Sequence, residues 1–179
     1  MTGSQMADFP SDRDAATVVG LVSDTHGRLR PELLDLFRGV DLILHAGDVG
    51  DPGILQRLEE VAPLSAVRGN VDPGSVRERT WESFVGEMAG LRIAVVHGHV
   101  TTDPAALAAR FAGADVVVHG HTHEPRVLRR EGLLIVNPGS AGPRRPGKPV
   151  TAGLLSVRDG RPEVRLVHLE TGEPWRPEA

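Results

Sequence analysis

Apolar residues in this chain fall into short runs, and their rhythm changes once along its length. Thr17–Ser23 and Asp41–Ala46 are almost continuously apolar, the pattern of central strands covered on both faces of a sheet. Pro31–Phe37 reads as a helix between them, and a second helix follows Pro52-Gly53 and runs to about Glu60. A short strand, Leu64–Arg68, starts after Pro63. Beyond Pro73-Gly74 the pattern shifts to strand pairs joined by tight turns. Trp81–Met88 and Leu91–Val96 flank Ala89-Gly90, Arg126–Arg130 and Leu133–Val136 flank Glu131-Gly132, and Thr151–Val157 and Val164–Leu169 flank Arg158-Asp159-Gly160. One further helix, Ala105–Phe111, is announced by Thr102-Asp103-Pro104 and leads into the strand Val116–Val118. The order, α/β units first and strand pairs later, predicts two sheets faced by helices in one domain over residues 17–169. Residues 1–16 carry Asp8, Asp12, Arg13 and Asp14 with no apolar stretch, so a disordered tail without a secretory signal is expected there. Residues 170–179 are expected to form a loose polar tail.

Composition narrows the chemistry. The 179 residues include 40% hydrophobic but only 3% aromatic side chains, so the core must be aliphatic. With no cysteine, disulfides and thiolate metal sites are excluded, and any metal must take nitrogen and oxygen ligands. A net charge of −4 leaves no footprint for bulk nucleic-acid binding. No apolar run approaches the ~20 residues that span a bilayer, which points to a cytoplasmic protein without a membrane partner.

Chemistry-bearing residues gather just past the strands. The run Val116–Val118 delivers His119-Gly120-His121-Thr122-His123. In extended chain, residues two apart lie on one side, about 6–7 Å from each other. Alternating histidines can therefore reach two metal ions standing about 3.5–4 Å apart. Asp24 and His26 follow the first strand, Asp48 the second, Asn70 the third, and His97 the strand Leu91–Val96. In open α/β sheets, ligands collect outside these carboxyl ends. Each residue alone has a plainer reading: an Asx turn at Asp24, a helix cap at Asp48, a turn residue at Asn70, solvated histidines in the loop. Their joint occurrence is harder to explain that way, because seven of the eight histidines lie in or beside these segments.

The ordered series Asp24-x-His26, Gly47-Asp48, Gly69-Asn70, His97-Gly98-His99 and Gly120-His121-Thr122-His123 resembles the calcineurin-like metallophosphoesterase superfamily. The short length, the form Gly69-Asn70-Val71-Asp72 and the late Asn137-Pro138-Gly139-Ser140 are similar to its small YfcE-type phosphodiesterase branch, related to the retromer subunit Vps29. That resemblance implies a four-layer α-β-β-α sandwich of two mixed β-sheets flanked by helices. It also implies two divalent metal ions, one held by Asp24, His26, Asp48 and His123, the other by Asp48, Asn70, His97 and His121, with Asp48 shared. Manganese leads the expected metals, and nickel, cobalt, iron or zinc would suit the same donors. The implied activity is hydrolysis of a small phosphate ester, a phosphodiester first, by a water or hydroxide bridging the metals. A nucleotide or dinucleotide polyphosphate phosphatase, or a non-catalytic Vps29-like scaffold, are the competing expectations. Relatives of this branch also imply a homo-oligomer, a dimer or larger.

One position departs from the pattern. Larger members carry a histidine after the Gly-Asn pair that protonates the leaving oxygen, whereas here Val71 stands in that place. His99 is then the candidate general acid, and Asp48, Asn70 and His99 form the expected catalytic set. Slow, leaving-group-sensitive hydrolysis is the corresponding expectation. Around these, His45 and His119 are expected to support ligands rather than bind metal; Arg144, Arg145 and Lys148 offer contacts to a phosphate, but a charge run in a Gly/Pro loop is expected first to be solvated.

Overall fold

The computed structural model describes residues 16–177. The tail expected over residues 1–16 lies, apart from Ala16, outside the described residues. Ten strands and four helices follow in the order β1 (Thr17–Val22), α1 (Pro31–Leu36), β2 (Leu42–His45), α2 (Pro52–Glu59), β3 (Leu64–Ala66), α3 (Gly74–Arg77), β4 (Ser83–Met88), β5 (Leu91–Val96), α4 (Pro104–Arg110), β6 (Val116–Val118), β7 (Arg126–Arg130), β8 (Leu133–Asn137), β9 (Thr151–Arg158) and β10 (Arg161–His168).

They form two five-stranded mixed sheets, β10-β9-β1-β2-β3 and β4-β5-β6-β8-β7. The centre of each is parallel: β1 pairs β2 and β2 pairs β3 in one, β5 pairs β6 and β6 pairs β8 in the other. Antiparallel partners add β9 and β10 beside β1 in the first sheet and β4 and β7 at the edges of the second, while β3 forms the first sheet's other edge in parallel. Strand alternation decides the layers. Val19 and Leu21 of β1 and Leu42 and Leu44 of β2 face Ile93, Val95, Val116, Val118, Leu134 and Val136, an aliphatic core between the sheets. The other faces turn outward to helices: Ile43 joins Leu33, Phe37, Leu55 and Leu58 of the α1 and α2 side, and Val117 and Ile135 join Leu107 and Phe111 of the α4 side. Gly20 allows this closeness on β1, since a Cβ there would come within 2.8 Å of the Phe37 ring. Helix, sheet, sheet and helix thus stack in four layers.

The helix signals work as chemistry requires. Asp51 and Asp103 cap α2 and α4, accepting from the Gly53 and Ala106 N–H groups at 2.7 and 2.9 Å, each with proline in the first turn. The short helix α3 was not expected from the sequence, and Trp81 makes only a bridge to Val67 before β4 begins at Ser83. The tail beyond Glu170 is also not loose where it is described. His168 N–H donates to Glu173 O and Trp175 N–H to Leu166 O, while the Trp175 ring packs on the inter-sheet core. Burial of that indole outweighs the polarity of its neighbours. No helix among the described residues is long and apolar enough to cross a membrane.

Candidate metal centre

All the parallel strands send their carboxyl ends to one edge of the sandwich, and backbone hydrogen bonds continue the pairing into the loops. Asp24 N–H donates to Gly47 O, His26 N–H to Asp48 O and Gly27 N–H to Val49 O, at 2.8–2.9 Å. Gly120 N–H donates to His97 O at 3.0 Å and Ala141 N–H to Ser23 O at 3.1 Å, tying the second sheet's loops to each other and to the first.

Two groups of three side chains result. In one, Asp24, His26 and His123 place a donor atom each within 4.8 Å of one another; in the other, Asp48, His97 and His121 do the same. The Nε2 atoms of His26 and His123 stand 3.2 Å apart, and lie 3.8 and 3.2 Å from Asp24 Oδ1. Asp48 Oδ2 connects the groups: it is 3.8 Å from His26 Nε2 and 3.3 Å from His97 Nε2. Asn70 reaches the same place through the main chain. Its neighbour Val71 donates N–H to Asp48 Oδ1 at 3.3 Å, and its other neighbour Gly69 lies directly against the Asp48 carboxylate. The Asn70 residue itself is exposed, as is His99, whose ring centroid is 5.7 Å from that of His97.

The residues present suit a cation. His97 Nδ1 lies 2.8 Å from Ala46 O and donates to it, which leaves the Nε2 lone pair turned toward Asp48. That buried Nε2 has no aligned hydrogen-bond partner, and neither does Asp24 Oδ1. A buried polar atom without a partner is costly, and a cation held by each group would satisfy one of these two atoms. Electrostatics agrees. Burial alone would lower the His97 pKa, but the Asp48 carboxylate and the Asp24 charge outweigh it and raise it. Asp48 is held below the usual carboxylate range despite burial, because His97 and the Val71 N–H favour its charged form. His26 and His99 are lowered, chiefly by burial, so both favour the neutral imidazole that binds a metal or accepts a proton.

Backbone conformation sets this cluster apart. Asp24, His26, Asp48, His121 and His123 all have positive φ, between 46° and 73°. Left-handed backbone is uncommon outside glycine and costs about 1–3 kcal/mol per residue when the surroundings enforce it. The other such non-glycine residues among those described, Ala89, Glu131 and Asp159, precede the glycines of hairpin turns. Strain is thus concentrated where five ligand candidates are aimed inward.

Supporting residues hold the loops. Asp24 Oδ2 accepts from Ser23 Oγ at 2.5 Å and from His121 N–H at 3.1 Å. Asp72 bridges two loops, its oxygens accepting from Gly50 and Gly69 N–H at 2.7 Å each. Asn137 donates to Gly120 O and Thr122 Oγ1, and Ser140 Oγ donates to Asp24 O. Ser23 and Thr25 carried no signal in the sequence; they read as ordinary residues at a strand end.

His45 is fully buried and has its own arrangement. Its Nδ1 accepts from Gly47 N–H at 3.2 Å, so Nε2 carries the proton and donates to Thr25 Oγ1 at 3.0 Å, which donates onward to Val49 O. Protonating Nδ1 would set it against the Gly47 N–H, and burial pushes the pKa down to about 4 from 6.5. The unfolded chain therefore takes up a proton, as pH falls from 6.5 to about 4, that the fold refuses. Above that window His45 costs nothing; across it the metal-free protein should lose about 3 kcal/mol from this group. Urea midpoints between pH 7.5 and 4.5 check this, with His45→Gln expected to show a visibly shallower decline despite lower stability at neutral pH.

Comparison with known proteins places this geometry in a family. Residues 18–160 match the model of the calcineurin-like phosphoesterase superfamily domain. The chain belongs to that family. A probable metallophosphoesterase of Methanothermobacter thermautotrophicus is 38% identical over 132 residues, covering 69% of this chain and 76% of its own. The YfcE phosphodiesterase of Escherichia coli is 32% identical over 158 residues, covering 74% and 84%. Among solved structures, Vps29 of Cryptosporidium parvum superposes with a TM-score of 0.77 over 93% of this chain and 95% of its own, at 23% identity, a likeness of fold alone. As a member of the family the protein is a metal-dependent phosphoesterase, a hydrolase.

Proposed function

We propose that the two groups hold one divalent ion each, share Asp48, and hydrolyse phosphodiesters. The observation carrying this reading is the position of Asp48 Oδ2, within 3.8 Å of a histidine nitrogen from each group. Asp24, His26 and His123 would hold one ion and His97, His121 and the exposed Asn70 the other. When bound, the ions would supply Lewis acidity and a water of lowered pKa. The chain's own contribution is position. Asp48 offsets repulsion between like charges, Asp24 is fixed by Ser23 and the His121 N–H, and His97 is oriented by Ala46 O. His99, exposed beside His97, has its pKa lowered by partial desolvation and by His97 and His121, and is placed to accept or pass a proton at the rim. Val71, 58% exposed next to Asp48, offers no proton to a leaving group.

The test strips the protein of metal and adds back Mn²⁺, Ni²⁺, Co²⁺ or Zn²⁺ singly, with hydrolysis of bis-p-nitrophenyl phosphate, p-nitrophenyl phosphate and an unactivated alkyl diester followed in parallel. Turnover should vanish on stripping and return with metal, Mn²⁺ first, faster on the aryl diester and at least about tenfold slower on the alkyl one. Equal alkyl and aryl rates would reject the role given to Val71. No turnover with any metal, at two bound ions per chain, would reject the general esterase.

A further inference from the structure

The loop between Gly142 and Pro149 lies over the first metal-ligand loop. Gly142 packs so closely on it that a Cβ would fall 2.4 Å from Thr25 O and 2.5 Å from Asp24 O. Arg30, buried, donates Nε–H to Gly142 O at 3.1 Å and fastens the start of the loop. Glu170 fastens the loop two residues on: Arg144 donates from Nε and Nη2 to its two oxygens at 2.6 and 2.7 Å, and Arg30 Nη1 stands 3.4 Å from the same carboxylate. Further on, Lys148 pairs with Glu124, and its N–H donates to Arg145 O at 3.1 Å, closing a turn through Gly147. Two of the three cations on this loop are therefore engaged by carboxylates. The third is not: among the described residues no carboxylate lies within ion-pair distance of Arg145, and its Nη2 stands 3.4 Å from Nε2 of His26. Arg144 stays largely exposed, as expected of a solvated charge run, although it is ion-paired, and Lys148 is half-buried; Arg145 is exposed yet aimed at the ligand atom of the cluster.

Resting on the phosphoesterase reading above, we propose that Arg145 is an anion-binding residue of this centre that favours a phosphate dianion, a monoester or free phosphate, over a diester. A guanidinium forks two N–H donors toward phosphoryl oxygens, and such charge-assisted bonds are roughly twice as strong as neutral ones. A monoester carries one more negative non-bridging oxygen than a diester, whose corresponding oxygen is alkylated and neutral. With two non-bridging oxygens directed to the cluster, a monoester or free phosphate still has a charged oxygen to offer Arg145, whereas a diester has only its neutral ester oxygen there. Glu170 is a positioning residue, since it holds the loop through Arg144 and Arg30 without facing the cluster.

The experiment uses the Mn²⁺-loaded full chain with Arg145→Ala, Arg145→Lys and Glu170→Gln. Binding of inorganic phosphate is measured by calorimetry, bound metal is counted, and kcat/KM is taken on p-nitrophenyl phosphate and bis-p-nitrophenyl phosphate. Arg145→Ala should weaken phosphate binding and monoester kcat/KM by at least about tenfold, and change diester kcat/KM by less than about twofold. Arg145→Lys should recover part of the loss, and Glu170→Gln should show the same selectivity in smaller measure, with metal content unchanged in all three. An equal loss on both substrates, or phosphate affinity that stays as in the parent, overturns the assignment. The phosphate titration stands without catalysis, so absence of turnover in the parent would reject the esterase reading while leaving Arg145 separately tested.

Discussion

Asp48→Ala should bind no more than one ion per chain and lose at least about a thousandfold in turnover, roughly 4 kcal/mol of transition-state stabilisation. The size of the effect follows from geometry. Among the described residues, Asp48 Oδ2 is the one oxygen within 4 Å of a histidine nitrogen of both groups, so in the proposed centre its removal would take a ligand from each ion and leave the two without a shared negative charge. His97 suffers in addition: its Nε2, already without an aligned partner, would face an empty space in a buried position. His99→Ala is the contrasting variant. Its exposed ring touches the cluster only at the rim, so both ions should stay bound while rate falls about a hundredfold. Metal analysis beside kinetics separates the two. Two tightly held ions and parent-like rates in Asp48→Ala would refute the shared carboxylate.

Much of the fold was legible because its strands are central and parallel. Continuous runs such as those of β1 and β2 need no tertiary information to be read, and the capped proline starts of α2 and α4 mark themselves. The helix α3 was not legible, since four residues, Gly74–Arg77, are too few to show a period. Trp175 was not either: one aromatic in a polar tail gives no sign of the surface it will cover. For the site, the sequence showed which residues come last on each strand but not the left-handed backbone that turns Asp24, Asp48 and His123 inward, because that conformation is imposed by contacts distant in sequence. The bridging role of Asp72 was not legible for the same reason: its two partners, Gly50 and Gly69, sit on different loops. Arg145 differs from Arg144 and Lys148 only by which carboxylates the fold brings near, and no local pattern encodes that.

The glycine of the third motif shows how a residue that reads as a turn is fixed by the site instead. Gly69 does not have a left-handed φ, so conformational freedom does not explain it; space does. A Cβ at this position would stand 1.8 Å from Asp48 Oδ1 and 2.4 Å from Asp48 N, and the second atom is main chain that no rotamer change can move. The Gly69 N–H also donates to Asp72, which holds the Gly50 loop, so a shift of Gly69 would disturb both neighbours. Gly69→Ala should therefore cost about 3 kcal/mol, a large overpacking effect, and lower Tm by about 6–12 °C. Gly74→Ala provides the measure of an innocent methyl: nothing lies within 4 Å of its Cβ and its φ is not left-handed, so it should gain about 0.4–1 kcal/mol by restricting the unfolded chain. Calorimetric melts of both metal-free variants, followed by metal titration, test the contrast. If Gly69→Ala melts within about 2 °C of the parent and takes up metal normally, the close approach of this backbone to Asp48 is not what the third motif requires. If it melts low and also fails to bind, the same glycine is shown to maintain the fold and the shared carboxylate at once.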